Sequence, residues 1–114
     1  MNTLASRSAE RDHLAEDAHP VGTIQDVLSA LSDPIRLEMV RRLAHEGGPV
    51  PCGRLYSGIG KSTASHHFKI LRAAGVTSRR TIDGQVHQQL EAGTVDARYP
   101  GLLDSVIRAV GGAA

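Results

Sequence analysis

Aromatic residues are almost missing from this chain of 114 residues: Tyr56, Phe68 and Tyr99 are the whole set, and there is no Trp. The core must therefore be built from Leu, Ile, Val and Ala. That suits a small helical domain that finishes burying its surface in a partner subunit. Cysteine is nearly missing too. Cys52 stands alone, so no intrachain disulfide can form and an extracellular disulfide-stapled mini-protein is excluded. No apolar run approaches the ~18 residues a membrane span needs. Residues Met1–Pro20 contain no hydrophobic stretch and are not read as a signal peptide. The expectation is a soluble cytoplasmic protein with no membrane partner. The length suits one domain and leaves no room for a two-domain enzyme with a cleft between them.

Carboxylates are missing from one long internal stretch. Between Gly47 and Ile82 there is no Asp or Glu, while Arg54, Lys61, Lys69, Arg72, Arg79, Arg80, His66 and His67 all lie there. The formal net charge of +1 hides this segregation. Residues 1–33 hold two Arg against six Asp and Glu, and residues 34–91 hold nine Lys and Arg against four. A one-sign segment in a mixed-charge chain is what phosphate binding asks for. A merely solvated basic face is the plainer alternative.

What is present reads mainly as helix. Residues 1–20 form an acidic arm, either a frayed helix over Leu4–Asp17 or no fixed structure, ended by Pro20. The spacing of Ile24, Val27, Leu28 and Leu31 predicts a helix over Thr23–Leu31. Asp33-Pro34 then opens another, with Asp as N-cap and Pro at the first helical position. Ile35, Met39, Val40 and Leu43 mark one face of it, His45 sits in the last turn, and Gly47-Gly48 stop it. Pro51–Tyr56 reads as a poor third helix, because Gly53 sits inside it. A turn through Ser57, Gly58, Ile59 and Gly60 leads into a helix over Lys61–Ala74. Ala64, His67, Phe68, Leu71 and Ala74 face inward by spacing, and Gly75 ends it.

Beyond Gly75 the hydrophobic period changes. Val76–Ile82 and Gln85–Leu90 flank Asp83-Gly84, a strong hairpin signal because both turn positions need positive φ. Asp96 is expected to open one last helix, whose wide apolar face is Leu102, Leu103, Val106, Ile107 and Val110. The fold class is therefore mainly α with a small β-hairpin (α+β), the order expected of a winged helix-turn-helix. Residues 21–111 would form the domain, and 112–114 a tail.

Three segments carry a family resemblance: Leu31-Ser-Asp-Pro-Ile-Arg-Leu-Glu-Met-Val40, Ser65-x-His67-Phe68-x-x-Leu71-x-x-Ala74-Gly75-Val76, and Arg79-Arg-Thr-Ile-Asp-Gly-Gln85. Over Thr23–Val110 the chain resembles the ArsR/SmtB family of bacterial transcriptional repressors. The resemblance implies a homodimeric winged helix that binds a two-fold-related operator in double-stranded DNA and releases it on sensing an effector.

Within that frame the helix 61–74 is the recognition helix. Its first turns would enter the major groove, with Ser62, Thr63, Ser65 and His66 at base edges and Lys61, Lys69 and Arg54 close to phosphates. Ser62 and Thr63 have a plainer role available, as helix caps, but the surrounding charge favours DNA contact. His67 lies on the Phe68/Leu71 side and reads as a packed, hydrogen-bonded histidine. Arg79 and Arg80, on the wing 77–90, point to opposite faces of their strand. Of the two, Arg80 is favoured to reach DNA. Ile24, Val27, Leu28, Leu102, Leu103, Val106, Ile107 and Val110 are expected to form the dimer interface. A winged helix that binds only protein is the alternative function. It would not need the carboxylate-free stretch.

Enzyme and metal readings find little support. Gly58-Ile-Gly-Lys-Ser-Thr63 imitates a phosphate loop, but the full pattern needs Gly at position 55, where Leu55 stands. The family's thiolate site uses a Cys-x-Cys pair, and Val50-Pro51-Cys52 breaks it. Its other site uses Asp and His on the last helix, and only Asp96 and Asp104 occur there. His13 and His19 lie six apart in the arm, a spacing with no helical-face meaning. No metal and no cofactor is expected. Cys52 is either a packed small residue or a reactive thiolate favoured by a helix N-terminus and Arg54. The effector is then an oxidant at Cys52, a small molecule between the terminal helices, or none.

Overall fold

The computed structural model describes residues 18–111. The expectations for Leu4–Asp17, for His13 and for the tail 112–114 fall outside the described residues. Helix α1 is Ile24–Leu31 and α2 is Pro34–Glu46. A two-residue strand β1, Val50–Pro51, and a 3-10 turn, Cys52–Arg54, lead to α3, Lys61–Ala73. The hairpin follows as β2, Thr77–Ile82, and β3, Gln85–Leu90. Two short helices, α4 (Ala92–Arg98) and α5 (Leu102–Ala109), close the described chain.

Local chemistry explains most boundaries. Thr23 caps α1 in a reciprocal box: its hydroxyl accepts from the Asp26 amide, and the Asp26 carboxylate accepts from the Thr23 amide. Asp33 caps α2, one oxygen accepting from the amides of Ile35 and Arg36 at 2.8 and 3.1 Å. Gly47 ends that helix at φ 80°. At the hairpin tip Asp83 and Gly84 both have positive φ, 51° and 77°, as a two-residue turn matched to strand twist requires.

Sheet order is β1-β3-β2, antiparallel throughout, with Val50 opposite Gln88 and Arg79 opposite Gln88 on its other side. The core gathers Val27, Leu31, Met39, Val40, Leu43, Leu55, Phe68, Leu71, Val76 and Val95 between the helices and the sheet. Two helices, a turn, a third helix and a hairpin make a winged helix-turn-helix.

The N-terminal segment is built into this core. Gly75, at φ 79°, lies so close to Pro20 and Val21 that a Cβ there would fall 2.6 Å from the Pro20 carbonyl oxygen. Gly22 donates to the Ala74 carbonyl at 3.0 Å, and the Tyr99 hydroxyl donates to the Gly22 carbonyl at 2.7 Å. One strap therefore joins the end of α3 to the α4–α5 corner.

Two expectations are corrected. Pro51–Tyr56 is not an α-helix: Val50–Pro51 pair with β3, and only Cys52–Arg54 turn, as a 3-10 helix. Proline is tolerated in β1 because this is an edge strand, where its missing N–H costs no ladder bond. Gly53 then favours a turn too short to propagate. The last helix is also two helices, not one opened by Asp96. Pro100 lacks an amide donor and drives Tyr99 out of helical geometry, to φ −132° and ψ 78°. Asp96 sits inside α4, and its Oδ1 accepts from the Gly101 amide at 3.0 Å, across the break.

Candidate nucleic-acid interface

Helix α3 is divided sharply by face. Ala64, His67, Phe68 and Leu71 are buried, whereas Lys61, Ser62, Thr63, Ser65, His66 and Lys69 are exposed. Ser62, Ser65, His66 and Lys69 fall at i, i+3, i+4 and i+7, so they form one stripe. Small hydroxyls lead the stripe and a cation ends it. The N-cap is Gly60, which has no side chain to offer, so no side chain caps the first amides of α3. No strand enters this loop directly, unlike a true phosphate loop: the 3-10 turn and residues 55–60 intervene.

His67 anchors the buried face. Arg36 Nη1 lies 2.9 Å from His67 Nδ1. A guanidinium can only donate, so Nδ1 accepts and the ring proton sits on Nε2. The 3.9 Å separation of Nδ1 from Asp33 Oδ2 is therefore proximity rather than an ion pair. Burial acts to raise the Asp33 carboxyl, but the amides of Arg36 and Ile35 and the Arg36 charge outweigh it. The group is held below its ordinary value.

The wing arginines diverge as alternation requires. Arg79 pairs in register with Gln88 and lines a cleft against α3. Arg80 pairs with His87 on the opposite face of the sheet. Both are half-buried, and both keep an Nε without a hydrogen-bond partner.

Arg54 is less available than the sequence suggested. Its guanidinium lies 3.2 Å from Glu46, and its carbonyl accepts from Arg42. Contact with a phosphate would have to displace that carboxylate. Cys52 is half-buried at the start of a three-residue 3-10 turn, with the Gln88 amide nitrogen 3.6 Å from its sulfur. The α-helix N-terminus invoked to favour a thiolate is not there, and Arg54 is turned to Glu46. Among the described residues no three His, Cys, Asp or Glu side chains converge as a metal site would need. No helix among them is long and apolar enough to cross a membrane.

The expected dimer face is sorted by burial. Val27 and Leu103 are 0% and 4% exposed within one protomer and belong to its core, not to an interface. Their neighbours close over them: α2 packs against both α1 and α5. Ile24, Leu28 and Val110 are exposed, while Leu102, Val106 and Ile107 are half-buried against the core.

Sequence reasoning gave no structural role to two residues of this region. Arg36 was visible only as part of Asp-Pro-x-Arg, and its tie to α3 needs the tertiary fold. Gln88 looked like an ordinary polar strand residue. The hairpin turn pairs it with Arg79, but its pairing with Val50 of β1 gave no local signal.

Comparison with known proteins agrees with this geometry. A family model described as a helix-turn-helix domain matches residues 31–80. The HTH-type transcriptional regulator YceK of Bacillus subtilis (strain 168) is 37% identical over 82 residues, which is 70% of this chain and 82% of YceK. The crystal structure of the transcriptional repressor BigR from Xylella fastidiosa is similar at a TM-score of 0.58 and 28% identity, covering 75% of this chain and 84% of that one.

Proposed function

Because the chain belongs to the helix-turn-helix transcriptional regulators of the ArsR/SmtB family, DNA-binding proteins by function, we propose that it is a repressor that grips its operator with α3 and the hairpin. The observation that carries this reading is the exposed stripe Ser62, Ser65, His66 and Lys69, set on a stretch of chain without a single carboxylate from Gly47 to Ile82. Small hydroxyl side chains let a helix approach base edges closely, and Lys61 and Lys69 flank them where the phosphates would run. Arg80 suits a narrow minor groove or the backbone beside it.

The operator is read by a homodimer. Ile24, Leu28 and Val110 are large apolar side chains left in water by one protomer, and Leu102, Val106 and Ile107, on the helix that Val110 ends, are only half-buried. A second copy covers them, and two-fold symmetry sets two α3 helices about 34 Å apart, one turn of DNA. The operator is then a pseudo-palindrome. A regulatory role, rather than an enzymatic one, follows from the same reading.

The test is selection of bound fragments from a genomic library, the protein's own promoter included, followed by footprinting. Protection of a pseudo-palindrome with strong salt dependence supports the proposal. Failure to bind any duplex at low salt overturns it and leaves a protein-binding winged helix.

A further inference from the structure

A cleft of about 710 Å³ lies between the 3-10 turn, α3 and the hairpin. Small-molecule sites are typically about 300–1,000 Å³. Three basic residues, Lys61, Arg72 and Arg79, line the cleft, and none of the described residues lining it is a carboxylate. Part of its wall is aromatic: Tyr56 and Phe68 meet edge to face, with centroids 6.2 Å apart. Gln88 adds to the wall from β3.

Gln88 is the decisive residue. It is 1% exposed, and its Oε1 has no hydrogen-bond partner, while its Nε2 reaches only the Cys52 sulfur. Exchanging the two amide atoms would orphan the nitrogen instead, so one polar end stays unmet either way. Its cross-strand partner Arg79 keeps a buried, unpartnered Nε. Partners across an antiparallel pair share a face, and this face lines the cleft. An unmet acceptor and an unmet cationic donor therefore belong to one face of the hairpin.

We propose that this cleft binds a small hydroxylated aromatic carboxylate. Its carboxylate lies on Arg79 and Lys61, its ring against Tyr56 and Phe68, and its hydroxyl donates to Gln88 Oε1. Each requirement comes from a separate part of the lining: anion, ring and donor. The cavity between the end of α2 and the α4–α5 pair, about 520 Å³, makes no such demand. Its carboxylates Asp96 and Asp104 already accept from the Gly101 amide and from Arg108. Ser65, from the stripe on α3, and the exposed Lys61 at the start of that helix both line the cleft, so an occupant draws Lys61 from phosphate and lowers DNA affinity. That last step rests on the DNA-binding reading above; the binding of the ligand does not.

The experiment titrates 15N-labelled full-length protein with 4-hydroxybenzoate, benzoate and phenol, following amide resonances without DNA. 4-Hydroxybenzoate should move residues 52–56, 64–68 and 85–88 saturably. Benzoate, lacking the donor, and phenol, lacking the carboxylate, should each bind about tenfold more weakly or worse, at least the scale of one lost hydrogen bond. Gln88→Leu should erase the preference for 4-hydroxybenzoate over benzoate. Arg79→Ala should weaken both carboxylates and leave phenol unchanged, and it decides alone if the Gln88 variant does not fold. No saturable shifts at these residues, equal binding of all three probes, or titrations unchanged in the variants would overturn the proposal. A parallel DNA titration separates the two readings. Loss of duplex binding on adding 4-hydroxybenzoate supports the regulatory step, and ligand binding without that loss removes it. Absence of DNA binding from the ligand-free protein sinks the earlier reading alone.

Discussion

Arg36 Nη1 donates to His67 Nδ1 across 2.9 Å, so a single guanidinium joins the first turn of α2 to the buried face of α3. The same group donates through Nε to the Ala30 carbonyl at 2.6 Å and through Nη2 to the Ser29 carbonyl at 3.4 Å. It therefore satisfies carbonyls at the end of α1 while it holds the helix proposed to read DNA. Three helices meet at one side chain.

Replacing Arg36 with Met keeps the apolar stem and removes every donor. Unfolding in urea should show a loss of about 1–3 kcal/mol, the cost of leaving partly buried acceptors unpaired. A double-mutant cycle with His67→Phe should give a coupling of about 0.5–3 kcal/mol. Simple additivity of the two losses would deny the link.

On α3, Ser62→Ala, Thr63→Ala and His66→Ala should each cost about 1–3 kcal/mol at the preferred operator and less on random duplex. Arg80→Ala should weaken binding to all sequences evenly and reduce the salt slope. Binding isotherms at several salt concentrations distinguish the two patterns. If Arg80→Ala changed sequence preference and the α3 variants did not, the assignment of reader and clamp would be reversed.

Burial decides which apolar residue tests the dimer. Leu28 is 47% exposed, so Leu28→Asp should leave the protomer folded and dissociate the pair. Leu103 is 4% exposed, so Leu103→Asp should unfold the protomer by placing an unpaired charge in its core. Sedimentation with circular dichroism reads both. A Leu28→Asp protein that still sediments as a dimer would exclude the α1 face from the interface.

Acid should loosen α2 in a defined window. Hydrogen bonds from Arg41 and Arg42 hold the Glu38 carboxyl at about 2, down from 4.5, against a smaller opposing effect of burial. The folded value lies below the unfolded one, so the unfolded chain binds the proton more readily. The contribution is complete above pH 4.5 and fades as pH falls toward 2. Asp33 is shifted in the same direction and adds to the slope. The Glu38 side chain is 40% exposed, so solvent screening limits its share to about 1 kcal/mol or less. The stability gap between wild type and Glu38→Gln in urea should shrink steadily on acidification. A gap that stays constant with pH would remove the ion pairs from the account.

Local signals were legible wherever backbone chemistry alone sets an element. Asp33-Pro34 opens α2, Gly47 and Gly75 end helices, and Asp83-Gly84 turns the hairpin, because each needs only its own φ and its nearest amides. The inward face of α3 was legible for the same reason: helical spacing fixes which side chains point together. Where a signal was present but outweighed, the expectation failed. Pro100-Gly101 breaks the last helix in two, although the apolar spacing beyond it looked continuous. Pro51–Tyr56 reads as a poor helix from its own residues, yet Val50–Pro51 pair with β3, because an edge position tolerates Pro51.

The sequence by itself determined the winged helix-turn-helix order and the exposed polar stripe on α3, since both follow from local propensity and periodicity. Only the tertiary structure decided that Val27 and Leu103 belong to the protomer core while Leu28 does not. Spacing names the apolar face of a helix but not which neighbour arrives first to cover it. The Asp83-Gly84 turn already pairs Gln88 with Arg79, but tertiary packing alone set Val50 on the other side of Gln88 and placed this face in a cleft under α3, because a hairpin turn fixes its own register and not what packs on it.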